Sequence, residues 1–532
     1  FFSPHNPKKL YTAGNHLFAT ENEGASWTKL SPDLTTDDKS KQKSSGGPIT
    51  QDNTSVEYYC TIFTAAESPL EKDLLWTGSD DGIISVSKDG GANWKNVTPK
   101  DAPKWMMWNR VEVDPLRKGT AYFAGTRYKL DDFTPYIYKT NDYGETWEKI
   151  TNGIDPLHFT RSIVASTKKA GVLFAGTEYG LYLSVNDGKS WEPFQLNLPL
   201  TPITDLLIRD NNLIVGTQGR SIYILDDISL IEQFQTVNGN KVFPVANTYR
   251  VPPQTGGRRR RASGAIPANV GFNPMKGAVV KYYLANVDDS TKVEIKILDD
   301  QQKEIRTYSS KDKEGPATEK GFNQFAWNLY HKELEQPEAG FILWNGSTSP
   351  VLAAPGKYTA NITIDKQLVS YPFEIIADPN FKVSNADLKE QEQFLLQVAG
   401  SFKEIMNTLK GAKEIKSQIA VIQKKTKDST FIASAKAVND MLTKIEEALH
   451  QTKAKSGQDV LNFPIRLDDK IAGVFESAAA GYVAPTKQVK ETYLELKQQV
   501  DEQLKKFETI KKENVKALND KVHQLSIPII GN

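Results

Sequence analysis

The chain has 532 residues, a formal net charge of +1 and an apolar content of 39%. This length predicts several domains, and the near-neutral charge argues against a strong general attraction to nucleic acid or anionic membranes. No run approaches the roughly 20 apolar residues of a membrane-spanning helix, and the single cysteine, Cys60, excludes an internal disulfide.

A short sequence pattern occurs four times in the N-terminal part: Ser or Thr, any residue, Asp or Asn, any residue, Gly, two residues and Trp. The copies, here called the repeat turns, are Thr20–Trp27, Ser87–Trp94, Thr140–Trp147 and Ser184–Trp191. An Asp or Asn after a strand closes a turn through its side chain, Gly adopts a backbone angle that other residues resist, and Trp buries a large ring. We therefore interpret these residues as structural; they are Asn22, Gly24, Trp27, Asp89, Gly91, Trp94, Asp142, Gly144, Trp147, Asn186, Gly188 and Trp191.

Short β-rich runs surround each repeat turn. An apolar run that ends in Gly-Ser or Gly-Thr comes first, as at Leu74–Ser79 and Val172–Thr177, and a second apolar run leads into the turn. Such runs, with Gly at the bends, predict antiparallel hairpins. The distance from Trp147 to Trp191 matches a propeller blade of about 40–50 residues. With a further unit at Leu213–Leu225 that lacks the turn, residues 1–230 are predicted to be a β-propeller segment of about five blades.

The repeat turns resemble Asp boxes, also called BNR repeats, which sialidases, some glycanases and sortilin-type receptors share. Four further segments are similar to a large bacterial group of sortilin-like propeller proteins labelled glycosyl hydrolases: Phe2–Pro7, Ser31–Leu34, Asp131–Tyr138 and Gly216–Asp227. The resemblance runs through the whole chain. It implies that the chain is the C-terminal half of a longer protein whose N-terminal half completes the propeller. It also implies a protein that is secreted, periplasmic or on the outer surface of a Gram-negative bacterium.

A connector is predicted after the propeller segment, over residues 231–268. It contains the run Arg258–Arg261, which could bind an acidic partner or be a protease target. A charge run in a Gly-rich loop is more often simply solvated, and we favour that interpretation.

Two further domains are predicted after the connector. Residues 269–378 alternate apolar and polar side chains between turn signals, which predicts an immunoglobulin- or fibronectin-like β-sandwich with Trp327 in its core. Residues 383–526 show helical periodicity after an N-cap at Ser384, with Asp387 three residues on, and predict an antiparallel helical bundle. The predicted fold class is therefore multidomain and mainly β: Asp-box β-propeller blades, then a β-sandwich, then an α-helical bundle.

The sequence carries no local catalytic or metal-binding motif. The six histidines are scattered, and none has another His or Cys at the spacing of a zinc site. No nucleophile elbow and no phosphate-binding Gly loop occurs, so we predict no metal and no cofactor. Glycoside hydrolysis would need two carboxylates about 5–10 Å apart; the candidate acids are Asp80, Asp81, Asp131, Asp132 and Glu178.

Topology predicts where a ligand would bind. The repeat turns lie between the third and fourth strands of each blade, so the turns between the second and third strands lie at the opposite end, where loops on a rigid scaffold can carry function. The predicted ligand-binding residues are Asp80, Asp81, Arg127, Tyr128, Glu178, Tyr179, Gln218 and Arg220. Mixed charge with tyrosine suits a peptide or a glycan. The alternative is that these residues serve only the hairpin turns.

Three hypotheses on function follow. The favoured one is a secreted surface or periplasmic propeller protein that binds a polypeptide or protein partner without catalysis, because the repeats are strong and a catalytic set is not legible. The first alternative is a glycan-active hydrolase with carboxylates at the mouth of the propeller channel. The second is a structural subunit of an envelope complex. Besides its own N-terminal half, the predicted partners are protein or peptide and, in the first alternative, a glycan, with no nucleic acid and no membrane span.

Overall fold

A computed structural model describes residues 1–44, 46–49, 58–233, 239–251, 275–332, 342–344 and 350–526. The chain divides into two compact units, Phe1–Thr236 and Val237–Asn532, each described by itself. The run Arg258–Arg261 and most of the predicted connector lie outside the described residues. No described helix combines the length and the apolar character that crossing a membrane requires.

The described part of the first unit holds five antiparallel sheets that follow one another along the chain. Blade 1 consists of β1 (Leu10–Ala13), β2 (Leu17–Thr20) and β3 (Thr28–Lys29), and blade 2 of β4 (Ile62–Glu67), β5 (Leu75–Ser79), β6 (Ile84–Ser87) and β7 (Lys95–Asn96). Blade 3 consists of β8 (Met107–Val113), β9 (Ala121–Arg127), β10 (Asp132–Thr140) and β11 (Glu148–Lys149), and blade 4 of β12 (Thr160–Ala165), β13 (Leu173–Thr177), β14 (Gly180–Ser184) and β15 (Glu192–Pro193). Blade 5 consists of β16 (Ile203–Arg209), β17 (Asn212–Thr217) and β18 (Ile222–Leu225). A short helix, α1 (Ser229–Gln233), follows. The sheets are blades of a β-propeller, which confirms that part of the predicted fold class.

Neighbouring blades pack through buried aromatic rings. The ring centre of Phe123 in β9 lies 6.0 Å from that of Trp76 in β5 and 5.9 Å from that of Trp108 in β8. All three side chains are fully buried. Aromatic pairs at this separation add to the stabilisation that burial of their area provides, so these rings fasten blade 2 to blade 3.

The glycine of the Gly-Ser or Gly-Thr pattern lies inside the second strand of a blade rather than at its bend. A Cβ atom on Gly78 would lie 2.8 Å from the Cβ of Trp108, and one on Gly176 would lie 2.7 Å from the Cγ2 of Ile203. Interiors this dense have no room for an added methyl group. Close packing against the next blade therefore explains this part of the pattern. In blade 5 a Cβ on Gly216 would meet nothing closer than 3.5 Å.

The second unit contains two sheets whose buried side chains form one hydrophobic core. Its strands are β19 (Lys241–Val242), β20 (Thr248–Arg250), β21 (Ala278–Leu284), β22 (Val293–Leu298), β23 (Glu304–Ser309), β24 (Gly321–Trp327), β25 (Gly356–Ile364) and β26 (Gln367–Ala377). Among the described residues one sheet has the order β19-β21-β24 and the other β20-β26-β25-β22-β23. Trp327 is fully buried in this core. The immunoglobulin-like assignment stays a prediction.

A helical region ends the described chain. The helices are α2 (Asn385–Gln423), α3 (Ser429–Leu449), α4 (Leu467–Ala479), α5 (Lys487–Thr509) and α6 (Lys516–Gln524). A π-helical segment, Ile510–Val515, joins the last two. The predicted N-cap of α2 is confirmed, because Ser384 Oγ accepts a hydrogen bond from the backbone N–H of Asp387 while the Asp387 carboxylate accepts one from the N–H of Ser384. One apolar core joins these helices.

Candidate functional site

Strand register fixes which residues share an end of the blades. In blade 2, Gly78 pairs with Ile84 at one end of the hairpin and Leu75 pairs with Ser87 at the other. The turn that contains Asp80 and the repeat turn Ser87–Trp94 therefore lie at opposite ends of the same strands. We call the end with the repeat turns the repeat-turn end and the other the opposite end.

The repeat turns satisfy their own polar groups. In the second copy, Ser87 Oγ accepts a hydrogen bond from the N–H of Gly91 at 2.8 Å and donates one to Asp89 Oδ1 at 2.9 Å. Asp89 Oδ1 also accepts from the N–H of Asn93 at 2.9 Å. The hydrogen bonds from Asn93 are the largest cause that holds the pKa of Asp89 below its usual value. Because these acceptors are occupied within the turn, the turn needs no ligand to satisfy them.

The indole of a repeat turn also fastens its blade to the preceding one. The Nε1–H of Trp94 donates to the carbonyl of Leu30 at 3.0 Å, and that of Trp147 donates to the carbonyl of Val97 at 2.6 Å. Trp191 donates in the same way to Ile150 at 2.7 Å. Trp27 in blade 1 is different, because 42% of its surface is exposed. The geometry agrees with a structural role for the repeat turns.

A cavity of about 360 Å³ opens at the opposite end, between blades 2 and 3. Its lining mixes aromatic, cationic and acidic side chains and consists of Lys41, Tyr59, Asp80, Trp105, Met107, Thr126, Arg127, Tyr128, Lys129 and Leu130. Three of the eight predicted ligand-binding residues, Asp80, Arg127 and Tyr128, are brought together here. Pockets of this size with aromatic walls and few polar groups are typical of small-ligand sites.

Asp80 is the carboxyl group in the lining of this cavity. Its Oδ1 accepts a hydrogen bond from the backbone N–H of Thr61 at 2.9 Å, and its Oδ2 accepts one from the Thr61 hydroxyl at 3.1 Å. Burial raises the pKa of Asp80, and these hydrogen bonds only partly oppose the shift. The group is therefore held in place by Thr61 and is easier to protonate than an exposed aspartate.

Two aromatic rings on connecting segments form a wall of the cavity. The ring centres of Tyr59 and Trp105 are 6.0 Å apart. The backbone of Trp105 has φ 61°, and that of Cys60, the residue after Tyr59, has φ 69°. A left-handed conformation is rare for a bulky side chain, and such strained positions concentrate at functional sites. Sequence reasoning missed both rings because it considered only the hairpin turns.

Arg127 connects the cavity to a second carboxylate. Its guanidinium donates to Asp132 Oδ2 at 2.6 Å and to the carbonyl of Lys104 at 3.1 Å. The Tyr136 hydroxyl donates to the same Asp132 oxygen at 2.8 Å. Burial alone would raise the pKa of Asp132, but hydrogen bonds, led by that from Tyr136, outweigh it and lower the pKa. The pKa of Asp80 is thus raised, whereas the pKa of Asp132 is lowered.

Asp81 points away from the cavity although it follows Asp80 directly. It is 3% exposed, and its Oδ2 accepts from the Thr36 hydroxyl at 2.6 Å and from the Thr36 N–H at 2.8 Å. The Ser79 hydroxyl donates to its other oxygen. This carboxylate ties the segment after blade 1 to blade 2, and its burial keeps it from solvent.

The remaining predicted residues do not join the cavity lining. Glu178 accepts a hydrogen bond from Arg161 Nε at 2.5 Å, and the ring of Tyr179 stacks on that of His158 at 4.9 Å. Gln218 and Arg220 are on the β17–β18 turn, where both are exposed. Asp131, one of the candidate acids, occupies a left-handed position at φ 56°.

A second cavity, of about 410 Å³, lies at the repeat-turn end between the first strands of blades 2 to 5. Its lining includes Glu67 of β4, Arg110 and Glu112 of β8, Ala165 of β12 and Ile208 of β16. Burial raises the pKa of Glu112 to about 7. Within the residues that the structure describes, no group of three or more His, Cys, Asp and Glu side chains is arranged to hold a metal ion.

No protein-family model matches the chain. A curated relative, the oligoxyloglucan-reducing end-specific xyloglucanase of Emericella nidulans, is 33% identical over 87 residues, which are 16% of this chain and 10% of the relative. The GH74 xyloglucanase structure from Xanthomonas campestris is 14% identical with a TM-score of 0.34, covering 69% of this chain and 57% of that one. The structure of YCF48 bound to D1 peptide is 17% identical with a TM-score of 0.28, covering 42% of this chain and 62% of that one.

The chain therefore spans a tenth of the curated relative and less than two thirds of either structure. The favoured hypothesis, a propeller that binds a polypeptide or protein partner without catalysis, is wrong on the comparison with the curated relative, which is an enzyme. The resemblance to sortilin-like Asp-box proteins is supported only as far as the β-propeller.

Proposed function

We propose that the chain is part of a glycan-active enzyme, a glycoside hydrolase, and that the cavity at the opposite end of blades 2 and 3 belongs to its substrate site. The observation that carries the proposal is the combination, in one cavity, of the Trp105 and Tyr59 rings with the half-buried Asp80 carboxyl group. The similarity to a xyloglucanase over 87 residues supports a glycan as the substrate.

The lining suits a sugar on chemical grounds. The rings of Tyr59 and Trp105 offer apolar faces for the C–H surface of a sugar, while Asp80 offers a hydrogen-bonding group for its hydroxyls. Such pockets combine apolar and aromatic walls with a few polar groups that fix the orientation of the ligand. Trp105 has a strained backbone, which is consistent with a position retained for binding rather than for folding.

We propose Asp80 as the proton donor and Asp132 as the ionised partner. Asp80 has a raised pKa and would give its proton to the glycosidic oxygen as the bond to the leaving sugar breaks. Asp132 has a lowered pKa and would take a proton from the water that attacks the anomeric carbon. One water is consumed, and each carboxyl group then returns to its starting state by proton exchange. Opposite pKa shifts in a pair of carboxyl groups are the usual mark of such a division of roles.

The test is hydrolysis of a glycan panel, with xyloglucan and its oligosaccharides included, by the full chain. We expect Asp80→Asn and Asp132→Asn each to lower kcat by about 100-fold or more, the size of one general acid–base contribution. The control is Asp226→Asn, which changes an exposed carboxylate at the repeat-turn end. Equal rates in all three variants, or no binding of any glycan, would overturn the proposal.

We also propose three finer assignments, of which the resemblance implies the first and the last and the strand pattern implies the second. The four repeat turns are Asp boxes, the two sheets of the second unit form an immunoglobulin-like sandwich, and the protein is secreted, periplasmic or on the outer surface. The self-contained hydrogen bonds of the turns support the first. Fractionation of the native bacterium would test the last.

A further inference from the structure

We propose that the cavity at the opposite end selects glycans that carry a negative charge, such as uronic-acid units, over neutral glycans. This inference rests on the proposed function and names the substrate class of the same site. It is carried by an excess of cationic over carboxylate groups in the lining: Lys41, Arg127 and Lys129 against Asp80.

The two lysines are the cations available to a ligand. Arg127 is already neutralised by Asp132 at 2.6 Å. Lys41 places its Nζ 5.4 Å from the ring centre of Trp105, next to the surface on which a sugar would stack. In the part of the chain that the structure describes, neither Lys41 nor Lys129 forms an ion pair with a carboxylate, so both can bind a negatively charged group of a ligand.

The carboxyl group in the cavity opposes an anion less than an exposed aspartate would. Burial raises the pKa of Asp80, which increases the fraction of the protonated form. A protonated carboxyl group donates a hydrogen bond, and a uronate oxygen is a suitable acceptor. A bound anion would raise the pKa of Asp80 further, since a nearby negative charge favours the neutral form of an acid.

The test compares charged and uncharged versions of the same sugar. An oligogalacturonide, an oligoglucuronide and their carboxyl-reduced counterparts are titrated calorimetrically into the full chain, together with a neutral xyloglucan oligosaccharide. We expect the acidic oligosaccharides to bind at least about tenfold more tightly than the reduced ones, with the difference shrinking as salt is added. Lys41→Gln and Lys129→Gln should each weaken acidic binding about fivefold, the upper range for partly exposed charge pairs.

The control variants distinguish an effect of charge from an effect of side-chain shape. The control sugars distinguish failure of this inference from failure of the proposed function. Lys41→Arg keeps the charge and should retain the preference, and Lys168→Gln changes an exposed lysine at the repeat-turn end without effect. Equal affinity for acidic and reduced sugars, or binding of the neutral xyloglucan oligosaccharide alone, overturns the inference and leaves the proposed function standing. Failure of every sugar to bind overturns both.

Discussion

The two ends of the propeller blades are built from the same strands and differ in how their polar groups are used. At the repeat-turn end, the side chains of Ser87, Asp89 and Trp94 are all hydrogen-bonded within or between blades. At the opposite end, the cavity exposes Lys41 and Lys129 without carboxylate partners among the described residues, beside a half-buried Asp80. The most repetitive part of the sequence is thus structural, and the less regular segments at the opposite end carry the candidate chemistry.

This difference predicts that substitutions at the repeat-turn end change the free energy of unfolding and that substitutions at the opposite end change binding. Polar groups that are paired in a buried network are costly to disrupt. Groups held ready for a ligand contribute little to folding and often oppose it. Four substitutions test this division, from the largest expected effect on stability to the smallest.

The largest loss is expected for Asp187→Ala. The Asp187 carboxylate accepts from Arg117 at 2.8 Å, from Lys139 at 2.6 Å and from the Tyr122 hydroxyl at 3.0 Å. Removing the Asp187 carboxylate leaves the buried Lys139 without its ion-pair partner, while Arg117 keeps Asp114. Leaving one charge of a buried pair uncompensated costs about 3 kcal/mol. Chemical denaturation at pH 7 should show this loss, and Asp226→Ala should not. A loss below about 0.5 kcal/mol, the usual range for surface changes, would contradict the structural role.

The same carboxylate predicts how stability responds to acid. Burial alone would raise the pKa of Asp187, but hydrogen bonds from Arg117 and Lys139 outweigh it and hold the pKa well below its usual value. A lowered pKa stabilises the folded state above the unfolded pKa of about 4, and this contribution disappears as pH falls. Asp187→Ala should therefore lose less stability between pH 5 and acid conditions than the parent protein does.

The next largest effect is expected for Glu112→Gln and depends on pH. Burial raises the pKa of Glu112 from 4.5 to about 7, while Arg110, Asp114 and Asp205 face it. Because the folded state holds this proton more tightly, stability falls as pH rises from about 4.5 to 7. The shift corresponds to about 3 kcal/mol, and we expect about 2 because the side chain is 17% exposed.

Glutamine at position 112 keeps an oxygen for the N–H of Ala165, which donates to Glu112 at 3.2 Å. The variant should therefore match the parent near pH 5 and become more stable than the parent near pH 7. Denaturation curves at several pH values measure the difference. A pH profile parallel to that of the parent would show that this carboxyl group titrates normally.

A smaller effect is expected for the indole hydrogen bond of a repeat turn. Trp147→Phe removes the Nε1–H donor to the carbonyl of Val97 at 2.6 Å, and leaving that acceptor unpaired costs about 1–2 kcal/mol. The matched control is Trp27→Phe, since Trp27 occupies the same position of the pattern but is 42% exposed. We expect the control to change stability by less than about 0.5 kcal/mol. Equal losses in both variants would contradict a role in joining blades.

Sequence reasoning located the ends of the blades but only part of the cavity. Strand order is enough to separate the Asp80 turn from the repeat turn Ser87–Trp94, because both belong to consecutive strands of one sheet. Strand order could not show that the Asp80 side chain lines the cavity and the Asp81 side chain does not. The direction of each side chain depends on a partner from another segment of the chain, Thr61 for Asp80 and Thr36 for Asp81.

The residues that sequence reasoning missed share one physical reason. Lys41, Tyr59 and Trp105 lie on segments that connect blades, and no local pattern gives the path of such a connection. The side chains meet because blades 2 and 3 pack closely at Gly78, where a Cβ would lie 2.8 Å from the Cβ of Trp108. The apolar run Trp105–Trp108 was a usable signal in the sequence. Trp105 lies before the first residue of β8 and is not part of that strand's alternation of side chains, so its ring has to pack elsewhere.

The smallest effect on stability is expected for Asp80→Asn, which should nevertheless lower kcat of the proposed hydrolysis by about 100-fold or more. The introduced amide would keep one oxygen for the N–H of Thr61, and its NH2 group could donate to the Thr61 hydroxyl that now donates to Asp80. Because burial raises the pKa of Asp80, its ionised form opposes folding as pH rises, and the neutral amide removes that opposition. At pH 7 we expect the free energy of unfolding to stay within about 0.5 kcal/mol of the parent or to increase. Thermal denaturation and glycan titration of the same preparation test this, and a large loss of stability would make Asp80 a structural residue like Asp187.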